Sequence, residues 1–227
     1  MNTVRPFVIA MTLLMGGHTA FAQDMTRYRV YALESSLDSV IAASGTRAAD
    51  AQTLHTRPAT IQELKWRAPY VSATAPLADP VRDITFSFHN GALYQVVVSY
   101  DRDRTEGLTA KDVLEALSTA YGVPAPGSAK TGTPPSREAF PDSIVLARWE
   151  SAESLVTLVR GSYTGEYQLI LISKPLSTRA RAAIREAVRL DAIEAPRRES
   201  EQRKKESLDA SAAREKLRLT NKAAFRP

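Results

Sequence analysis

The chain has 227 residues and no cysteine. That removes disulfides, thiol nucleophiles, Fe–S clusters and thiolate zinc sites in one step. It also removes the thioether anchor of a bacterial lipoprotein. N-x-S/T is missing, because Asn2, Asn90 and Asn221 all lack a hydroxyl residue two places on. Apart from the N-terminal segment, no stretch is apolar for long enough to cross a bilayer. Neither HExxH, nor a metal-spaced histidine pair, nor a G-x-S-x-G elbow occurs. No cofactor-binding motif is present, and no cofactor is expected. GSAKTGT, residues 127–133, has some P-loop flavour, but Lys130 precedes Gly132 and two prolines follow, so no phosphate-cradling helix can open there.

What is present begins with MNTVRPFVIAMTLLMGGHTAFA, residues 1–22. Arg5 gives a positive start, Phe7 to Met15 an apolar run, and Ala20-Phe21-Ala22 a small-x-small cleavage site. This is the layout of a secretory signal peptide, too short in its apolar run for a membrane span. It predicts a periplasmic or secreted protein whose mature chain starts at Gln23. Charge is uneven beyond it. Residues 23–173 hold 14 Lys and Arg against 17 Asp and Glu, whereas residues 174–227 hold 15 against 8. The basic pI of 9.5 therefore belongs to the tail and not to a nucleic-acid-binding fold.

Between 23 and 175 the pattern is that of an α+β globular domain. About 145 residues can bury roughly two-thirds of the surface they expose when unfolded. DITFSFHNGALYQVVVSYD carries Asn90-Gly91 between two β-rich runs, the signature of a two-residue type I′ hairpin. An uninterrupted ladder from that turn pairs His89 with Ala92, Phe88 with Leu93 and Phe86 with Gln95. It collects Ile84, Phe86, Phe88, Leu93 and Val97 on one face, and Tyr94, Val96, Val98 and Tyr100 on the other. The second arm is apolar on both faces and belongs inside a sheet. A second hairpin is expected over 154–160 and 167–173, and single strands at TIQELKW and SIVLARWE.

Leu37, Val40 and Ile41 predict a short helix stopped at Gly45. Leu108, Val113, Leu114, Leu117 and Tyr121 predict another, ended by Gly122. A helix followed by three strands thus occurs twice, over ~30–100 and ~108–175, the third strand in each closing a hairpin. The expected fold is antiparallel sheet built from one or two such units. Residues 176–227 form a charged helical tail, partly disordered. In it Leu176, Ala180, Ala183, Ile184, Ala187 and Val188 make a stripe that packs on the sheet, Pro196 interrupts, and Glu194–Arg198, Glu199–Arg203 and Glu201–Lys205 are spaced for i,i+4 pairs. Leu208, Leu217 and Leu219 do not hold a heptad over three turns.

Candidate chemistry is sparse. Asp101, Asp103, Thr105 and Asp112 stand at positions one, three, five and twelve of a calcium-loop spacing. Against that reading, Glu106 occupies the glycine position, Asp112 is a methylene too short for bidentate chelation, and Arg102 and Arg104 interleave the acids. The competing reading makes Thr109 a helix cap and Asp112 its reciprocal partner. His89 abuts the Asn-Gly turn and is expected exposed at its tip. His55 lies in a loop-like stretch, and a hydrolase would have to recruit one of these two. Trp66 and Trp149 are read as core residues. Trp66, Arg67, Tyr70 and His89 are the candidate binding residues, should KWRAPY form a recognition face.

The runs SLDSVIAASG, RPATIQELKW, FHNGALYQVVVSYDRDRTEGLT and DVLEALSTAYGVP resemble a group of exported proteins of Gram-negative bacteria that carries no known activity. The helix-plus-three-strand unit is similar to periplasmic modules of the β-lactamase-inhibitor-protein and outer-membrane assembly lipoprotein type, which bind other proteins through sheets and loops. The chain departs from both in having no cysteine. The resemblance implies a non-catalytic binding or scaffolding role, with another envelope protein as partner and no nucleic acid. The basic tail is suited to weak contact with an anionic envelope surface. A periplasmic hydrolase and a calcium-stabilised module are the alternatives.

Overall fold

The computed structural model describes residues 24–69, 79–127, 143–224 and 226. The leader expected over 1–22, most of the 124–136 loop and Tyr70 lie outside the described residues. The fold is α+β, as the sequence predicts. A short ladder pairs β1 (Arg27–Tyr28) with β2 (Tyr31–Ala32). Helix α1 (Leu37–Ser44) follows, then β3 (Ala51–His55), β4 (Ile61–Arg67), β5 (Val81–His89) and β6 (Ala92–Tyr100). Helix α2 (Ala110–Tyr121) leads into β7 (Ser143–Glu150), β8 (Ser154–Gly161) and β9 (Tyr167–Ser173), and α3 (Lys174–Ala224) completes the chain. Strands β3 to β9 form one antiparallel sheet in the order β3-β4-β5-β6-β9-β8-β7.

The two units are joined through their last strands, β6 against β9, and register shows them related by a two-fold. One row across the sheet reads Trp66, Ile84, Val98, Leu169, Leu158, Ala147. The next reads Leu64, Phe86, Val96, Leu171, Val156, Trp149. Each row is the other in reverse, so Trp66 and Trp149 occupy equivalent positions. Both rows lie in the main core, with α1 contributing Val40 and α2 contributing Tyr121. Tyr31 packs on Phe86 with ring centroids 4.7 Å apart, and Tyr121 on Trp149 at 5.9 Å. β6 sits at the centre of the sheet, as its doubly apolar pattern requires.

Local chemistry explains the element ends. Ser36 accepts from the Ser39 amide to start α1, and Gly45 at φ +68° stops it. Asn90 and Gly91 both have positive φ, 50° and 78°, as a type I′ turn needs.

The face assignment of β6 differs from the ladder expected from sequence. Phe88 pairs with Leu93, but Ser87 pairs with Gln95 and Phe86 with Val96, not Gln95. Tyr94 is the extra residue of a bulge, and a shift of one residue exchanges the faces of all that follows. Val96 and Val98 therefore join Ile84 and Phe86 under the helices. Val97 turns to the other face with Val145, Val159, Ile170 and Ile172.

Three further corrections concern ends. β3 is a strand, and His55 is its last residue and not part of a loop. Its mostly polar, exposed pattern is that of an edge strand, and it offers no apolar alternation to find it by. Leu108 stands before the Thr109 cap and is exposed, so it is not part of the α2 stripe. Pro196 does not interrupt α3, which runs 51 residues, about 76 Å at 1.5 Å per residue. Proline removes one backbone donor, and both Pro196 and Ala192, whose carbonyl loses that donor, are exposed. The described tail is helix to Ala224. Its first turns dock through Ala180 and Ala183, which share a cluster with Ile61 and Tyr94, and Ala187 one turn further on is also buried. Small side chains let the helix approach the strands closely. Val188, expected in that stripe, is 55% exposed.

Candidate functional site

The loop after β6 is spent on its own geometry. Asp101 Oδ1 accepts from the amides of Asp103 at 3.0 Å and Arg104 at 3.1 Å. The Thr105 hydroxyl donates to the Asp101 carbonyl at 2.7 Å. Asp112 closes the reciprocal box: its Oδ2 accepts from the Thr109 amide at 2.7 Å, while the Asp112 amide donates to the Thr109 hydroxyl at 3.3 Å. The bond from the Thr109 side chain holds the Asp112 carboxyl below its usual pKa. Among the described residues no group of three or more His, Asp or Glu is placed to hold a metal ion.

The three described candidate binding residues, Trp66, Arg67 and His89, do not share a surface, and Tyr70 lies outside the described residues. Strand alternation puts Trp66 on the face under α1 and α2, and Arg67, opposite Asp83, on the reverse, where α3 docks. Trp66 is half-buried against the main core, whereas Arg67 is exposed. His89 pairs with Ile61, five residues along β4 from Trp66, about 17 Å away at strand spacing. It is also half-buried and not exposed at a free tip. The hairpin tip is clamped from two sides. Asn90 Oδ1 accepts from the Thr60 amide at 2.9 Å, and the Leu37 amide donates to the Gly91 carbonyl at 3.0 Å.

His55 lines a groove of about 200 Å³ between the end of β3 and α3. Its neighbours include Asp191, but Arg198 bridges that carboxylate at 3.0 Å and Arg57 pairs with Glu194 at 2.6 Å. No serine is among the described residues lining it. These ion pairs close a seam between helix and edge strand.

A larger cleft, about 450 Å³, was not anticipated from the sequence. It opens between the loop 101–108 and the β8–β9 turn, lined by Arg102, Leu108, Ile144, Arg160, Tyr163 and Tyr167. The Tyr167 hydroxyl donates to the Leu108 carbonyl at 3.1 Å, tying floor to wall. Arg160 Nε donates to the Gly165 carbonyl at 3.1 Å, and its guanidinium lies 5.4 Å from the Tyr167 ring centre. Tyr163 is 88% exposed at the mouth. The sequence carried no sign of it, because Leu108 reads there as the start of the α2 stripe and Ile144 as part of the strand SIVLARWE; in the structure both are about half exposed.

A polar cluster ties the N-terminal hairpin to the first unit. Arg29 forms a forked pair with Asp79, its Nη2 donating to Oδ1 at 2.8 Å, and stands 5.2 Å from the Tyr28 ring centre. The Arg29 bond holds the Asp79 carboxyl below its ordinary range. Burial pushes Tyr100 well up, and Tyr28 and Tyr121 up as well.

Comparison with models of protein families, with curated proteins and with solved structures found no match. Among the described residues no helix is long and apolar enough to cross a membrane.

Proposed function

We propose an exported, non-catalytic binding or scaffolding protein of the bacterial cell envelope, with another envelope protein as its partner. The observation that carries this reading is the division of α3. Up to Glu194 the helix is held by the sheet and by Arg57, and from Pro196 to Ala223 every residue is exposed. A rod of about 40 Å fixed at one end to a rigid sheet suits holding or spacing a partner. The leader pattern of residues 1–22 supports export. The His55 groove lacks the serine of a hydrolytic triad among its described lining residues, and that counts against the hydrolase.

The test is capture from a periplasmic extract with the full mature chain and with a chain ended after Ala195. A defined protein retained by the full chain and lost on truncation supports a rod that binds. The same protein retained by both assigns binding to the sheet body. Capture of none, together with turnover of a hydrolase substrate panel, overturns the reading.

A further inference from the structure

Charge on α3 is sorted by side. Projected at 100° per residue, the docked residues Ala180, Ala183 and Ala187 define the side facing the sheet. Along that side Asp191, Glu194, Glu201 and Asp209 alternate with Arg198, Lys205 and Lys216, so it is close to neutral. On the opposite side stand Arg185, Arg189, Arg203, Arg214 and Arg218, separated by four, fourteen, eleven and four residues, each close to a whole number of turns. No carboxylate falls among them on that line, where Ser200 and Ser207 fill the gaps. All five arginines are exposed. Glu186, Glu199 and Glu215 reach Arg189, Arg203 and Arg218 from the flanks. Exposed pairs of this kind are worth little and leave guanidinium donors free for other acceptors. The row from Arg185 to Arg218 is about 50 Å long.

We propose that this arginine row is a membrane-facing surface: α3 lies flat on a bilayer bearing anionic phosphate headgroups, with the sheet body on the side away from the lipid. The inference rests on the envelope reading for its location. Three features favour a bilayer. The row keeps to one side of the helix and lies opposite the docked face, so a bilayer surface can meet it while the body stays clear. Arginine and serine are donors suited to phosphate oxygens. Residues 174–224 contain no aromatic residue, so there is nothing to stack on nucleobases. That lack, and the scarcity of large apolar residues on the row, make the contact adsorption to headgroups without insertion into the acyl region.

Each cation drawn to an anionic membrane surface changes binding about fivefold. The test is cosedimentation of the full mature chain with phosphatidylglycerol–phosphatidylethanolamine vesicles and with phosphatidylcholine vesicles, at low and high salt. Binding is expected to the anionic vesicles only and to vanish in high salt. The double variant Arg203→Gln/Arg214→Gln should lose about twenty-five-fold. Lys205→Gln/Lys216→Gln, which removes the same charge from the sheet side, should lose less than threefold. Circular dichroism checks that both variants keep the helix. Equal losses from the two variants would reduce the effect to net charge and overturn the proposal. Absence of anionic-vesicle binding, or tighter binding to a short DNA duplex than to vesicles, would also overturn it. Neither result bears on the protein-capture experiment, so the two readings fail separately.

Discussion

The two α-β-β-β units share a register but not a finish. Trp66 and Trp149 are two-fold equivalents in the sheet. Trp149 is 1% exposed, and its indole N–H donates to the Gly122 carbonyl at 2.7 Å. Trp66 is half-buried on the face under α1 and α2, with a further strand, β3, beyond its own. In the second unit the helix-end glycine thus serves the tryptophan directly. The first unit depends on additions: β3, the N-terminal hairpin with its Arg29–Asp79 pair, and α3. One sheet position can be fully buried or partly wetted according to what is laid over it, and here the buried tryptophan is the one on the edge strand β7.

The largest expected effect breaks this comparison at the tryptophans. Trp149→Ala should destabilise by about 3–5 kcal/mol through the cavity and the orphaned Gly122 carbonyl. Trp66→Ala should cost about half as much. Urea denaturation measures both, and equal losses would show that the units are finished alike. Next is the turn that only the first unit has. Gly91→Ala meets no atom within 4 Å but must hold φ near +78°, a cost of about 1–2 kcal/mol. Thr109→Ala removes the α2 cap and should cost about 1 kcal/mol.

The pH response sharpens the comparison further. Asp79 has its carboxyl lowered from 3.8 in the folded chain, so its contribution is present above that value and is lost as pH falls through the lowered one. Asp79→Asn should flatten the stability profile below about pH 4, read by urea midpoints across pH. Tyr100 has the opposite sign. Its raised value favours the folded state up to pH 10, and that advantage is lost above it. Smallest of all should be ending the chain after Ala195, a change under about 0.5 kcal/mol, because Pro196 to Ala223 are all exposed.

Much of the fold was legible, and for local reasons. Asn90-Gly91, the Thr109–Asp112 box and the stop at Gly45 are torsional and capping preferences settled within a few residues. The sidedness of charge on α3 is likewise a matter of periodicity once the helix is continuous. The sites were less legible. Trp66 and Arg67 are neighbours in sequence, and alternation sends them to opposite faces. The cleft lined by Arg102 and Arg160 joins loops some 60 residues apart, and no local pattern brings them together.

Sequence alone determined the hairpin turn, the helix ends and the charge borne by the last helix, since each is set by the torsions and side chains of adjacent residues. Tertiary structure decided the bulge at Tyr94, the pairing of β6 with β9 and the unequal burial of two equivalent tryptophans. Those outcomes depend on which distant surfaces meet, and the free energy of burying them outweighs the preference of any single residue.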